Sequence, residues 1–459
     1  MAGIGFTLRR LTERDDLSGL AGAYAHAALI SSGPWLFTIF ALTGVNVLLG
    51  NFVPQDAVEI FRIVVVYNFG FSLVVAGPIT MVATRYLADL IYGKDVSEAP
   101  GMMLGALTLQ FAIQGAFGVP YYLFVVDMDL ATRLLSIANF FAVGGIWVVA
   151  IFLSALKSYR TIAATFGIGM LLAFVLAVAF ANTVGAAGIL GGFTVGLLVI
   201  FFALIARVLA EYPYRVKTPF GFLKYFARYW ELALAGGFYN AAIWIDKWIM
   251  WFAPERRTIA GAMISYPTYD SAMFLAYLSI LPGLAIFLIS IETRFFERYL
   301  RFYRDIQGHG SWSTIERNHR SIIDVLVESL RNVTVLQTVV CLLMVLLAAS
   351  ILDVTRSDFA QIGIFRFGCL GALFHALTLF CGIVLSYFDL RKHLMVVYGV
   401  FLVTTGLFAW ISREAGFAWY GYGYFLAALV TFLVAYVLAA RAVGRLPYLT
   451  FVANNQGLR

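Results

Sequence analysis

The chain has 459 residues, of which 62% are hydrophobic, 16% aromatic and only 12% charged, with a mean hydropathy of +0.87. Soluble domains carry about 25% charged residues, so this chain lacks the polar coat that a water-soluble enzyme, a disulfide scaffold or a disordered chain would need. The net charge of +7 does not call for nucleic acid, because surplus Lys and Arg in a membrane protein report topology. An all-α polytopic membrane protein remains.

A spanning helix needs about 20 mostly apolar residues. Twelve such stretches lie near 24–50, 62–88, 101–126, 134–156, 162–181, 187–210, 229–252, 268–292, 332–352, 361–387, 394–411 and 420–441. Ahead of them, residues 1–23 form an amphipathic segment with Ile4, Phe6, Leu8 and Leu11 among Arg9, Arg10 and Arg14, suited to anchoring at the cytoplasmic membrane surface. The first span is too long, and too polar at Ser31, Ser32 and Gly33, for a signal peptide. Six spans make an N-lobe over 24–210. A cytoplasmic link over 211–228, with Pro213, Pro219, Gly221 and six aromatics, ties it to a C-lobe over 229–443. The remainder, 444–459, reads as a cytoplasmic tail.

Orientation follows from the short loops. With the N-terminus inside, 24 of the 32 Lys and Arg residues fall on the cytoplasmic side, six fall outside, and Lys247 and Arg366 lie within spans. Both termini are therefore expected inside. With an even number of spans before the link, the two six-helix bundles face the same way, as in a parallel repeat with pseudo-two-fold symmetry. A faint echo supports it: Pro78 precedes Thr84-Arg85-Tyr86 and Asp89, and Pro282 precedes Thr293-Arg294-Phe295 and Glu297, though at unequal spacing. Between the eighth and ninth spans, 293–331 interleaves Arg294, Arg298 and Arg301 with Phe295, Phe296, Tyr299, Phe302 and Tyr303. That pattern suits a helix in the headgroup region, and equally a docking surface for a cytosolic partner.

Charged or broken helices persist in lipid only where protein or a hydrated cavity satisfies them. Gly33-Pro34, Gly77-Pro78 and Pro282-Gly283 each free a carbonyl from the helix ladder, making Pro34, Pro78 and Pro282 hinge candidates, or static kinks. In the seventh span Asp246 and Lys247 lie near the outer end, at about the depth of Arg366 in the tenth span and Asp270 at the start of the eighth. Two acids and two bases at one depth make a near-neutral cluster. The specific expectation is an Asp246–Arg366 contact, with Lys247 near Asp270 or facing the lumen. The cluster is either a lock that opens during transport or an ion pair that fixes packing. Asn240, Trp244, Lys247 and Trp251 share one helical face by spacing and are candidates to line a polar path. Asn68, Arg85, Asn139, His26 and His375 are further intramembrane polar residues. Either histidine could carry protons or bond a neighbouring helix.

Covalent chemistry has little support. Cys341, Cys369 and Cys381 lie in apolar segments without metal-ligand spacing, and neither a metal nor a cofactor is expected. Asp127-Met128-Asp129 has the spacing of a nucleotide-sugar metal site, but it falls in a short outside loop with no soluble domain around it.

The opening MAGIGFTLRRL, the first-span AYAHAALISSGPWLF, the stretch YNFGFSLVVAGPITMVATRYLADLIY and the IDKWIMWF end of the seventh span together resemble the Pel exopolysaccharide transporter family, PelG. The resemblance extends over the full length. It implies the polysaccharide branch of the multidrug/oligosaccharidyl-lipid/polysaccharide flippase superfamily, with two six-helix bundles around a central cavity. It further implies inner-membrane transport of an amino-sugar polymer to the periplasm, without enzymatic activity. The implied partners are a cytosolic glycosyltransferase and membrane-anchored Pel subunits, one of them a cyclic di-GMP receptor, beside membrane lipid. Alternatives on the same fold are a flippase for lipid-linked oligosaccharide and a small-molecule antiporter; a membrane glycan polymerase fits the short outside loops less well.

Overall fold

We describe the protein from a computed structural model covering residues 36–45, 47–50, 52–155, 159–354 and 358–453. The amphipathic segment 1–23, His26, Pro34 and the end of the tail lie outside the described residues.

Among the described residues ten helical stretches, the interrupted Pro267–Phe287 among them, are long and apolar enough to cross a membrane, and the chain is an all-α multi-pass membrane protein. Twelve spans were expected. The two that do not reach that standard are α1, Leu36–Leu49, which is short in its described residues, and α7, Trp230–Met250, whose apolar run is diluted by Glu231, Asn240, Asp246 and Lys247. Two compact units make up the chain, one of Ser32–Trp244 with Trp251–Pro267, the other including Ile245–Met250 and the chain from Thr268 onward.

The first unit is built on α2 (Gln55–Tyr92), α3 (Ala99–Pro120), α4 (Leu130–Ala155), α5 (Tyr159–Val184) and α6 (Ala186–Glu211). Helix α4 packs on α2, α3 and α6, and α5 packs on α6. Between lipid-soluble helices the attraction is close packing, which small residues permit. A Cβ added to Gly196 of α6 would lie 2.4 Å from the Cβ of Ala173 in α5. The same device joins α2 to the start of α7: a Cβ on Gly77 would lie 2.5 Å from the Gly236 carbonyl oxygen, and one on Gly236 2.3 Å from that of Gly77. Pro78 sits inside an uninterrupted α2. Gly77 thus serves helix contact, beside whatever bend Pro78 imposes. Beyond α7 a small antiparallel hairpin, β1 (Arg257–Ile259) and β2 (Met263–Ser265), pairs Arg257 with Ser265. It is a loop ornament that the all-helical expectation did not include. Asp127 is exposed there, and Asp129 caps α4 by accepting from the Thr132 amide at 3.0 Å and the Thr132 hydroxyl at 2.6 Å. Those bonds hold the Asp129 carboxyl below the usual carboxylate range.

The second unit holds α8 (Pro267–Leu278), α9 (Leu281–Ser290), α10 (Phe296–Gln307), α11 (Trp312–Leu346), α12 (Ala348–Val354), α13 (Ile362–Tyr387), α14 (Arg391–Ala415) and α15 (Tyr422–Gly444). Helix α13 packs on α11 and α15, and α14 on α15. Two regions of the sequence take a definite form here. The eighth span is two helices, interrupted after Leu278, with Pro282 in the first turn of α9, where a missing N–H costs nothing. Gln337 Nε2 donates to the Ser279 carbonyl within the interruption at 2.8 Å. Within 293–331 the basic and aromatic first part forms α10, the chain turns back at Gly308–Ser311, and Ser311 caps α11 through the Thr314 amide. Helix α11 then runs on without a break, so the ninth span starts inside a helix of 35 residues.

Candidate functional site

The outer part of α7 brings one acid and one base into the second unit. Asp246 is fully buried and Lys247 nearly so. Lys247 Nζ lies 3.0 and 3.2 Å from the two Asp246 oxygens, and the Tyr269 hydroxyl donates to Asp246 Oδ2 at 3.0 Å. The ammonium also sits 4.5 Å from the ring centre of Tyr277, a cation–π contact strengthened by desolvation. Tyr277 in turn lies 5.0 Å, centre to centre, from Tyr424 of α15. The Tyr424 hydroxyl and His375 Nδ1 of α13 share a hydrogen bond of 2.9 Å, and the His375 ring lies 4.9 Å from Phe401 of α14. An ion pair, three tyrosines and a histidine therefore form one buried polar belt drawn from α7, α8, α13 and α15. It is electrically balanced, because a lone charge there would carry several kcal/mol of desolvation.

The expected Asp246–Arg366 contact is not made. Arg366 is exposed at the start of α13, and its Nε donates to the Val345 carbonyl at 3.2 Å. The adjacent lysine and Tyr269 already occupy the carboxylate. Asp270 stands in the first turn of α8, where the helix dipole favours an acid. The four residues of the proposed lining face of α7 have different partners. Asn240 Nδ2 donates to the Leu73 carbonyl of α2 at 2.8 Å. The Trp244 indole fills the space over Gly70, 3.1 Å from an added Cβ, and Trp251 stacks on Tyr67 with ring centres 4.7 Å apart at 4°. These three pack within the first unit, whereas Lys247 belongs to the second; spacing alone did not distinguish their partners.

The first unit has its own buried polar chain, without charge. The Tyr122 hydroxyl donates to Asn68 Oδ1 at 2.7 Å. Asn68 Nδ2 donates to Asn139 Oδ1 at 2.9 Å and to the Ser136 carbonyl at 3.0 Å. Asn139 Nδ2 passes on to Thr194 Oγ1 at 3.0 Å, and that hydroxyl donates to the Leu190 carbonyl. The four residues tie α2, the end of α3, α4 and α6 together. Arg85 stands apart, at the other end of α2, 3.5 Å from Asp89 and 5.7 Å from the ring centre of Tyr229.

Sequence reasoning missed Tyr269, Tyr277 and Tyr424 in one unit and Tyr122 and Thr194 in the other. A usable signal existed for the first pair: Tyr269 and Tyr277 are eight residues apart and share a face of α8. No comparable pattern marked Tyr424 among the other aromatics of α15.

Three solved structures show what the fold resembles. An outward-facing multidrug resistance MATE family transporter of the MOP superfamily aligns with a TM-score of 0.64 at 14% identity, over 96% of this chain and 98% of that one. A MATE transporter in the straight conformation aligns at 0.62 and 13%, over 92% and 96%. A MOP superfamily transporter from Pyrococcus furiosus, whose binding pocket is described as having reverse polarity, aligns at 0.63 and 13%, over 92% and 96%. At such identities the likeness is one of fold. No curated protein sequence matches the chain significantly. Residues 1–451 match the family described as "PelG: Putative exopolysaccharide Exporter (EPS-E)". A membrane chain with a MATE-like fold, matched in this way over residues 1–451, belongs to the PelG family of exopolysaccharide exporters.

Proposed function

We propose that this protein carries a Pel-type exopolysaccharide, a polymer rich in amino sugars, from a cytosolic synthase to the periplasm across the bacterial inner membrane. The observation that carries this reading is the family match over residues 1–451. In this reading α1 and α7 also cross the bilayer, completing twelve spans as two six-helix bundles, and both termini are cytoplasmic. Polymer would be handed over by a cytosolic glycosyltransferase held near the membrane by anchored Pel subunits, one of them a cyclic di-GMP receptor.

Within this function the Asp246–Lys247–Tyr269 group acts as a lock. A balanced ion pair is stable while closed, and its partners can be exchanged at modest net cost if water or sugar hydroxyls replace them. The break between α8 and α9 supplies a hinge, since Leu278 and Leu281 bound a stretch that is already outside the helix ladder. His375, bonded to Tyr424, sits next in the belt and would report any change in it.

The test is where polymer collects in cells that lack this protein and keep an active synthase. Polymer trapped in the cytosol with none outside is the expected result. If no polymer forms at all, the protein serves synthesis or assembly and the export reading fails.

A further inference from the structure

The segment joining α6 to α7 packs on its inner side directly against α3. A Cβ on Gly101 of α3 would lie 2.0 Å from the Lys217 carbonyl oxygen, and one on Gly105 would lie 1.8 Å from that of Pro219. The backbone of the segment is thus seated directly on α3, in a groove that only glycine leaves open. Between the two carbonyls Thr218 has a φ of 40°, in the region that non-glycine residues seldom adopt. Further on, Phe222 is buried, Tyr225 stacks on Tyr86 with ring centres 3.9 Å apart, and the Tyr229 hydroxyl donates to Asp89 at 2.5 Å.

The outer side has a different character. Arg215, Lys217, Lys224 and Arg228 are exposed, and there is no acid from 212 to 230. Of the neighbouring acids, Asp89 is engaged by Tyr229 and Arg85, Glu98 by Tyr86 and Glu211 by Arg207, Glu231 is buried, and exposed Asp95, bonded to the Ser97 amide, lies in the field of Lys217. Large apolar side chains alternate with the cations, with Val216 49%, Phe220 52%, Leu223 41% and Trp230 47% exposed. The segment also begins where α6, one of the ten apolar helices, ends at Glu211.

We propose that this segment is a binding site for anionic phospholipid. The four cations hold phosphodiester headgroups, and Phe220, Leu223 and Trp230 enter the edge of the acyl region. Interleaved cations and apolar side chains at a membrane boundary suit lipid, whose charge and hydrocarbon lie a few ångströms apart. An acidic protein face would match the cations and leave the apolar side chains without a partner. The rigid seat on α3 makes the site pre-formed, so little ordering entropy is lost on binding. It rests on α6 crossing the bilayer and not on what the chain transports.

The full-length protein, purified and offered phosphatidylglycerol with phosphatidylcholine as the neutral reference, is examined by native mass spectrometry for retained lipid. The wild type is expected to retain phosphatidylglycerol in preference, less so as salt rises. R215Q/K217Q/K224Q/R228Q is expected to lose up to about 600-fold of that preference, since each of the four cations at an anionic surface contributes about a factor of five. R256Q/R257Q, in the hairpin, is expected to keep it. Should the quadruple variant fail to accumulate, K217Q/K224Q reads the same effect at about half strength on the logarithmic scale. Equal preference in wild type and link variants overturns the proposal. So does an absence of lipid preference combined with loss of polymer export in the link variant, which would assign the surface to an acidic protein.

Discussion

The two units solve one problem in opposite ways. Each must bury polar groups where there is no water to satisfy them. The first unit uses a neutral chain, Tyr122–Asn68–Asn139–Thr194, in which each donor ends on an acceptor and the last hydroxyl closes on a helix carbonyl. The second uses charge: Asp246 and Lys247 neutralise each other, and Tyr269, Tyr277, Tyr424 and His375 surround them. A satisfied neutral network rigidifies. A buried ion pair adds little net stability, yet is costly to break by halves. The contrast suggests a frame in the first unit and a switch in the second.

Four substitutions break or sharpen that contrast. Lys247→Met should be the most damaging, leaving the Asp246 carboxylate buried without a cation at a cost of about 3–5 kcal/mol. Denaturation of the purified protein would measure it, and Asp246→Asn/Lys247→Met should recover much of the loss if the pair is coupled. Asn68→Ala should cost about 1–3 kcal/mol, because the Tyr122 hydroxyl and Asn139 lose a partner inside the first unit. Its export per folded molecule should stay normal, as expected of a frame. Tyr424→Phe should remove about 0.5–1.5 kcal/mol and shift the imidazole resonances of His375, which loses its hydrogen-bond partner. Arg366→Gln, at an exposed position bonded only to a carbonyl among the described contacts, should change stability by less than about 0.5 kcal/mol and leave export intact. A large effect there would revive the discarded Asp246–Arg366 contact.

Much of the architecture was legible because crossing a bilayer demands a run of apolar residues of fixed length, and that demand is written locally. The depth of polar residues was legible only in part: Asp246 and Lys247 were expected at the level of Arg366, and the belt they join instead holds His375. What could not be read was rotation about each helix axis. Helix α13 is apolar on nearly every face, so no amphipathic stripe says which side meets protein and which meets lipid. His375 stands nine residues beyond Arg366, about 13.5 Å further along the same helix, and it is His375 that joins the belt. Pro282 announced a disturbance in the eighth span but not its form, since a proline fits the first turn of a new helix as well as a kink in an old one. The tyrosines escaped because a hydroxyl is silent in a hydropathy profile, and their role depends on neighbours far away in sequence.

The most direct measurement is export by Asp246→Asn/Lys247→Gln, which keeps hydrogen-bonding side chains at both positions and removes both charges. Polymer outside the cell would be measured per molecule of folded protein in the membrane. A lock requires the charges to separate and re-pair during transport, so external polymer should fall severalfold while polymer accumulates within. Full export by a normally folded variant would contradict this and reduce the ion pair to a packing element.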